Sequence, residues 1–416
     1  MTPTPRRLLA AVLATAVAGG ALVAGPAVAH NPRETPKGAP RMDLEVMVTP
    51  ELEGRITPGG TDPVVSVDGF GNRFVVARKE DTQTAVGVDP GARTATRASA
   101  WAWTSFDDGL TWQNLDVLPR GAEQLLPQGT ARDVTSAGAV TLLAEDRGAV
   151  VVVHRVVAAG KGRLADGGTT VVSPGLPGGT SSRVSLATNG RDAVVAAANT
   201  GAASTGLARL DPAGTAVTVQ TTLAGACDVA ADPRPAAATF WAVCTDDAGI
   251  ALHRSRDGGA TFGAVTRLPG TAQAVADVGP DGTLFVLSGR TLTRYRGARA
   301  TAQDLALPRG EARGTAFAVS ARGRVAATTY TRAAPGEGWH VQVALFSPGS
   351  RPVWYDFADH DPAAPAGASQ PPSVATSVDT DPQGRLQMVW SSTFLQSAEL
   401  DRPLLRNVFT ARSVTT

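Results

Sequence analysis

A strand, a tight turn and a second strand recur seven times along this chain. The segments are PVVSVDGFGNRFVVAR from Pro63, AVTLLAEDRGAVVVVHR from Ala139, RVSLATNGRDAVVAAAN from Arg183, CDVAADPRPAAATFWAVC from Cys227, AQAVADVGPDGTLFVLSG from Ala272, TAFAVSARGRVAATTYT from Thr315 and SVATSVDTDPQGRLQMVWSS from Ser373. Most follow one another at about 40 to 50 residues, while the first and last intervals are longer. Each turn carries Gly, Asp, Asn or Pro, which supply the backbone angles of a tight reversal. A third strand and usually a fourth follow each hairpin, most clearly in ASAWAWTSFDDGLTWQNLD and GIALHRSRDGGATFGAVT.

This period, with four short strands per unit, predicts an all-β chain folded as a β-propeller of four-stranded antiparallel blades. A lone four-stranded sheet buries too little, but sheets stacked face to face around an axis cover one another. The hairpin count favours seven blades and leaves six open. The last unit, from Pro371, supplies three good strands, and DLEVMVTP from Asp43 is a spare strand at the other end. That strand is expected to join the last blade and close the ring, so residues 43–416 form one domain. A hydrophobic fraction of 43% is ample for such a core, and 45 Gly with 29 Pro suit a chain of many turns. A formal net charge of +1 and scattered arginines favour neither nucleic acid nor an anionic membrane.

The N-terminus reads as an export signal over residues 1–29. Arg6 and Arg7 precede an apolar run, and AVA at Ala27–Ala29 is a small-residue cleavage site. The surroundings of the paired arginines favour ordinary secretion over twin-arginine export. Residues 30–42 read as a flexible leader. The expected product is secreted or attached to the cell surface, without stable membrane insertion, and monomeric.

Cys227 and Cys244 flank a segment whose turn, DPRP, lies near its midpoint. Folding it as a hairpin sets the two cysteines opposite each other on neighbouring strands, within reach of a disulfide. A metal pair is the alternative. It lacks further ligands, because the five histidines show no paired metal spacing. No metal or cofactor is expected.

One eight-residue phrase appears twice: Ser105, Asp107, Gly109, Thr111 and Trp112 match Ser255, Asp257, Gly259, Thr261 and Phe262 at identical spacing. An Asp can accept backbone N–H bonds across a turn, Gly permits positive φ, and small hydroxyls fill the remaining polar valences. The aromatic is expected to face inward against the next blade. The phrase resembles the Asp-box (BNR) repeat of the sialidase-like β-propellers. The resemblance implies that it is the turn between the last two strands of a blade, and so architecture.

Sialidases of that family have six blades, and the resemblance implies a site at the axis: three arginines for the substrate carboxylate, a Tyr nucleophile with a Glu partner and an Asp acid/base. A neutral phenol suits a substrate whose reacting carbon bears a carboxylate, since an anionic nucleophile would be repelled. GRITPGG places Arg55 where the family has its first arginine, although Gly54 replaces an aromatic and Thr57 intrudes before Pro58. VVARKEDTQ offers Asp81 as acid/base, and RVAATTYTR offers Tyr330, beside Arg332, as nucleophile. Trp339, in the polar segment APGEGWH, is the best candidate for a sugar-stacking ring. Two functions remain: a binding module that holds an extracellular glycan or surface protein through its axial face and loops, and an exo-sialidase-type glycoside hydrolase. The broken arginine phrase and the scarcity of tyrosine favour binding.

Overall fold

A computed structural model describes residues 36–43, 45–48, 59–80, 99–115, 132–146, 150–173, 183–199, 203–214, 216–234, 236–334, 339–361, 376–392 and 407–414. Among them the chain forms seven four-stranded antiparallel sheets and no helix. The innermost strands, in blade order, are Gly59–Val67, Arg132–Ala137, Arg183–Thr188, Ala226–Ala231, Ala274–Val278, Glu311–Val319 and Thr376–Thr380. Each touches the innermost strand of the next blade, and the seventh touches the first. The molecule is therefore a closed seven-bladed β-propeller.

Packing explains why the second strand of each hairpin carries consecutive apolar residues instead of alternating ones. In a radial stack both faces of a sheet are covered. Phe74 faces the second blade and its neighbour Val75 faces the seventh; Val194 faces the fourth and Val195 the second. The core is divided into seven clusters, one at each junction between consecutive blades. A fully buried leucine such as Leu142 contributes about 2 kcal/mol by burial alone.

The ring closes as the spare strand requires. Val46 pairs with Thr410 and Met47 with Phe409, which makes the N-terminal strand the outermost of the seventh blade. Contact begins earlier in the chain than Asp43. Ala39 and Met42 pack against the junction of blades six and seven, and Val414 donates its N–H to the Arg41 carbonyl at 2.8 Å. Residues 36–42 thus lie against the last blade, within the span read as a leader. In blade four, Cys227 and Cys244 are direct cross-strand partners and form the disulfide.

Alternating turns give the ring two ends. The inner hairpin turns and the turns between third and fourth strands lie at one end. The connections between blades and the turns between second and third strands lie at the other.

Candidate functional site

The repeated phrase occupies the first of these ends. In blade one, Ser105 Oγ accepts from Gly109 N at 2.8 Å and donates to Asp107, whose carboxylate accepts from Thr111 N at 2.9 Å and Thr111 Oγ1 at 2.6 Å. The same bonds recur in blade four among Ser255, Asp257, Gly259 and Thr261. Hydrogen bonds from Thr261 hold the Asp257 carboxyl down to about 2. Both aspartates are therefore committed to holding a turn. The aromatic that closes the phrase packs backward, contrary to the expectation that it meets the next blade. Trp112 lies against Val389 and Val408 of blade seven, and Phe262 against the junction of blades three and four. In both copies the turn carries the aromatic back over its own sheet toward the preceding blade of the ring.

Inside the ring, the innermost strands present one edge to an axial channel, and the N–H groups on that edge need acceptors. Side chains of the preceding blade supply them. Leu186 N donates to Asp133 at 2.7 Å, Ala276 N to Asp228 at 2.7 Å, Val319 N to Asp277 at 2.6 Å and Val67 N to Asp379 at 2.7 Å. Ser185 and Ser377 do the same for Val229 and Val65. Enclosure by the blades pushes the Asp133 and Asp277 carboxyls up to about 7, against the hydrogen bonds they accept, and raises Asp379 as well. These residues were not singled out from the sequence. The signal is an Asp followed by Val or Thr within the innermost strand, as in RDVTS, CDVAA, ADVGP and VDTDP.

At the second end the channel opens into a cleft of about 710 Å³ that spans blades three, five and six. Its lining includes Arg183, Arg290 and Arg313, with Val275, Leu287 and Leu307 between them. Each arginine is paired with an acid: Arg183 with Asp228 at 2.9 Å, Arg290 with Asp304 at 3.1 Å and Arg313 with Glu311 at 2.5 Å. Glu311 also takes Arg332 at 2.6 Å, and these arginines hold its carboxyl below the usual range. Both guanidinium groups lie over the Trp339 ring, Arg332 at 4.8 Å and Arg313 at 5.6 Å from its centroid. Trp339 itself is buried, so it supports arginines and offers no open face to a sugar.

Of the proposed catalytic residues, Arg55 and Asp81 lie outside the described residues. Tyr330 is only 2% exposed, in the core between blades six and seven. Its hydroxyl donates to the Ser391 carbonyl oxygen at 2.5 Å, which ties blade six to blade seven. Tyr295 and Tyr355 are buried in the clusters between blades four and five and between six and seven.

No protein-family model matches the chain, and no curated protein matches it. Similar solved structures include a protein of unknown function from Dyadobacter fermentans, at 9% identity and a TM-score of 0.50, covering 89% of this chain and 98% of that one. Trypanosoma rangeli sialidase in complex with the inhibitor DANA aligns at 11% identity and a TM-score of 0.45, over 86% of this chain and 56% of that one. Penicillium chrysogenum α-L-arabinanase complexed with arabinobiose aligns at 13% identity and a TM-score of 0.42, over 74% of this chain and 99% of that one. At such identities the likeness shows the fold alone.

Proposed function

We propose that this protein is an exported binding propeller that holds an extracellular glycan or protein at the end of the ring carrying the interblade connections. The observation that carries this reading is the cleft at the channel mouth. Its volume of about 710 Å³ is in the range of ligand sites, and its arginines are already held in ion pairs with acids outside the lining. Such preorganisation lowers the cost of binding. The tyrosines weigh against the sialidase alternative, since all three are packed between blades. Export fits the buried disulfide, a bond that persists in oxidising compartments. No helix among the described residues is long and apolar enough to cross a membrane.

The test is an array of glycans and peptides probed with the wild-type protein and with an Arg290→Ala/Arg313→Ala variant. Binding that the double variant loses is the expected result. Ligands held equally by both proteins would place the site elsewhere. Turnover of a fluorogenic sialoside by the wild-type protein would restore the hydrolase reading.

A further inference from the structure

The cleft has a chemical bias that narrows its ligand. Among the described residues that line it are three arginines and no carboxylate. Each of these arginines pairs with an acid outside the lining, Arg183 with Asp228, Arg290 with Asp304 and Arg313 with Glu311. An arginine carries five N–H donors, so one bound to a single carboxylate keeps donors for a second anion. Arg313 and Arg290 are accessible, at 40% and 59% side-chain exposure, while Arg183 is more enclosed at the channel mouth, at 21%. The cleft therefore runs from an enclosed cation to two open ones.

Between the arginines the surface is aliphatic. Val275 and Leu307 are partly buried, Leu287 lies beneath them, and Pro308 forms part of the wall. No aromatic ring occurs among the described lining residues. A sugar presents a C–H face that aromatic rings cover well, and this floor offers none. Aliphatic side chains gain most from an aliphatic floor, through area removed from water. Arginine clusters beside apolar pockets are a recurring way to recognise acidic peptide motifs.

We propose that this cleft binds an acidic peptide segment of a partner protein, in which Asp or Glu side chains alternate with aliphatic ones. The carboxylates meet Arg183, Arg290 and Arg313, and the aliphatic side chains settle on Val275 and Leu307. The inference rests on the binding reading above and selects protein over glycan.

Three synthetic hexapeptides test it by fluorescence anisotropy: alternating Leu-Glu, Leu-Gln and Leu-Lys, with an oligogalacturonate hexamer as the acidic sugar probe. The Leu-Glu peptide should bind at least tenfold more tightly than the other two peptides and the oligogalacturonate. Its affinity should fall with rising salt. Arg290→Glu, a change at an exposed position, should weaken it about tenfold, as two charge contacts convert at roughly 1.4 kcal/mol per decade. Leu307→Ala should weaken it severalfold without altering the salt dependence. Arg267→Ala, at an exposed ion pair with Asp246 on the fourth strand of blade four, should change nothing. Preference for oligogalacturonate, lost in Arg290→Glu, would overturn the peptide assignment and keep the binding reading. Equal binding of the Leu-Glu and Leu-Lys peptides would overturn the assignment. No binding of any probe, with none on the glycan and peptide arrays, would overturn both.

Discussion

The two copies of the eight-residue phrase form the same turn, yet they dock differently on the blade behind them. In blade four the turn meets blade three, to which the chain runs on directly. The fit there is steric. A Cβ at Gly259 would lie 2.3 Å from Val194 Cγ2, and one at Gly258 would lie 2.9 Å from the Asp192 carboxylate, which is paired with Arg209. In blade one the turn meets blade seven, the blade in which the two ends of the chain pair. There the residue matching Gly258 is Asp108, and blade seven offers Arg385 where blade three has Asp192. Asp108 lies within 3.6 Å of four cations: Arg73 at 2.8 Å, Lys161 at 3.0 Å, Arg412 at 3.2 Å and Arg385 at 3.6 Å. Burial opposes ionisation of Asp108, but Lys161 and Arg73 hold its carboxyl well below the usual range. Arg73 is buried and also binds Gln387 at 2.8 Å. One local fold thus serves as a close-packed spacer against blade three and as an ionic clasp at the seam with blade seven, whose Arg385 and Arg412 belong to the C-terminal part of the chain that only non-covalent contacts hold in the ring.

Substitution of the paired glycines should separate the two modes most strongly. Gly259→Ala forces a Cβ into Val194 from a backbone at φ +89°, and should cost about 3 kcal/mol. Gly109→Ala meets only the end of Gln387, at 3.2 Å, and should cost about 1.5 kcal/mol, nearly all from its positive φ. Urea titration of both variants measures the difference, and equal costs would show that backbone strain dominates at each site.

Removing the seam charge is next in size. Asp108→Asn leaves buried Arg73 without its nearest carboxylate and should cost about 2 kcal/mol. Gly258→Asp should fail to build an equivalent clasp, because the new carboxylate would face Asp192. Loss of stability in that variant, read by thermal melting, checks the point.

The pH profile follows from opposite shifts. A carboxyl held low in the folded state, as Asp108 is, stabilises above its unfolded value near 4 and loses that contribution as pH falls. A carboxyl raised to about 7, as Asp133 and Asp277 are, takes up its proton preferentially in the folded state, so its contribution grows as pH falls from about 7 toward 4. The melting temperature should therefore rise by a few degrees from pH 8 to pH 5, then fall below pH 4. Asp277→Asn should flatten the upper limb and Asp108→Asn the lower one, which assigns each limb to channel or seam by calorimetry.

Salt should give the smallest effect. At 1 M NaCl the screening length is about 3 Å, and the cost of Asp108→Asn should shrink by about 0.5 kcal/mol. The cost of Gly259→Ala should not move, because no charge acts there.

Much of the fold was legible because its signals are local. The turn residues of each hairpin, the central turn between Cys227 and Cys244 and the spare strand at Asp43 all speak through their immediate neighbours in sequence. The site was less legible because its partners come from different blades. Arg183, Arg290 and Arg313 belong to blades three, five and six, and nothing in their flanking residues marks them among many arginines. Tyr330 shows the converse: its surroundings in sequence suit an axial nucleophile, while its partner is a carbonyl 61 residues away, in the next blade. Trp339 read as exposed because its N-terminal neighbours are polar, yet it lies buried under two arginines.

By itself the sequence determined that the chain is a run of short antiparallel sheets, that two cysteines meet, that the two ends of the chain share a blade and where most blades turn, although the hairpin read from Ala139 is the second and third strands of blade two and its innermost strand is Arg132–Ala137. Backbone angles and strand pairing within a hairpin depend on residues a few positions apart, so they are written locally. Only the tertiary structure decided which way Trp112 and Phe262 face, which amides Asp133, Asp228, Asp277 and Asp379 satisfy, and which arginines gather at the channel mouth. Those outcomes depend on which face of one blade meets the next, and that choice exists only once the ring has closed.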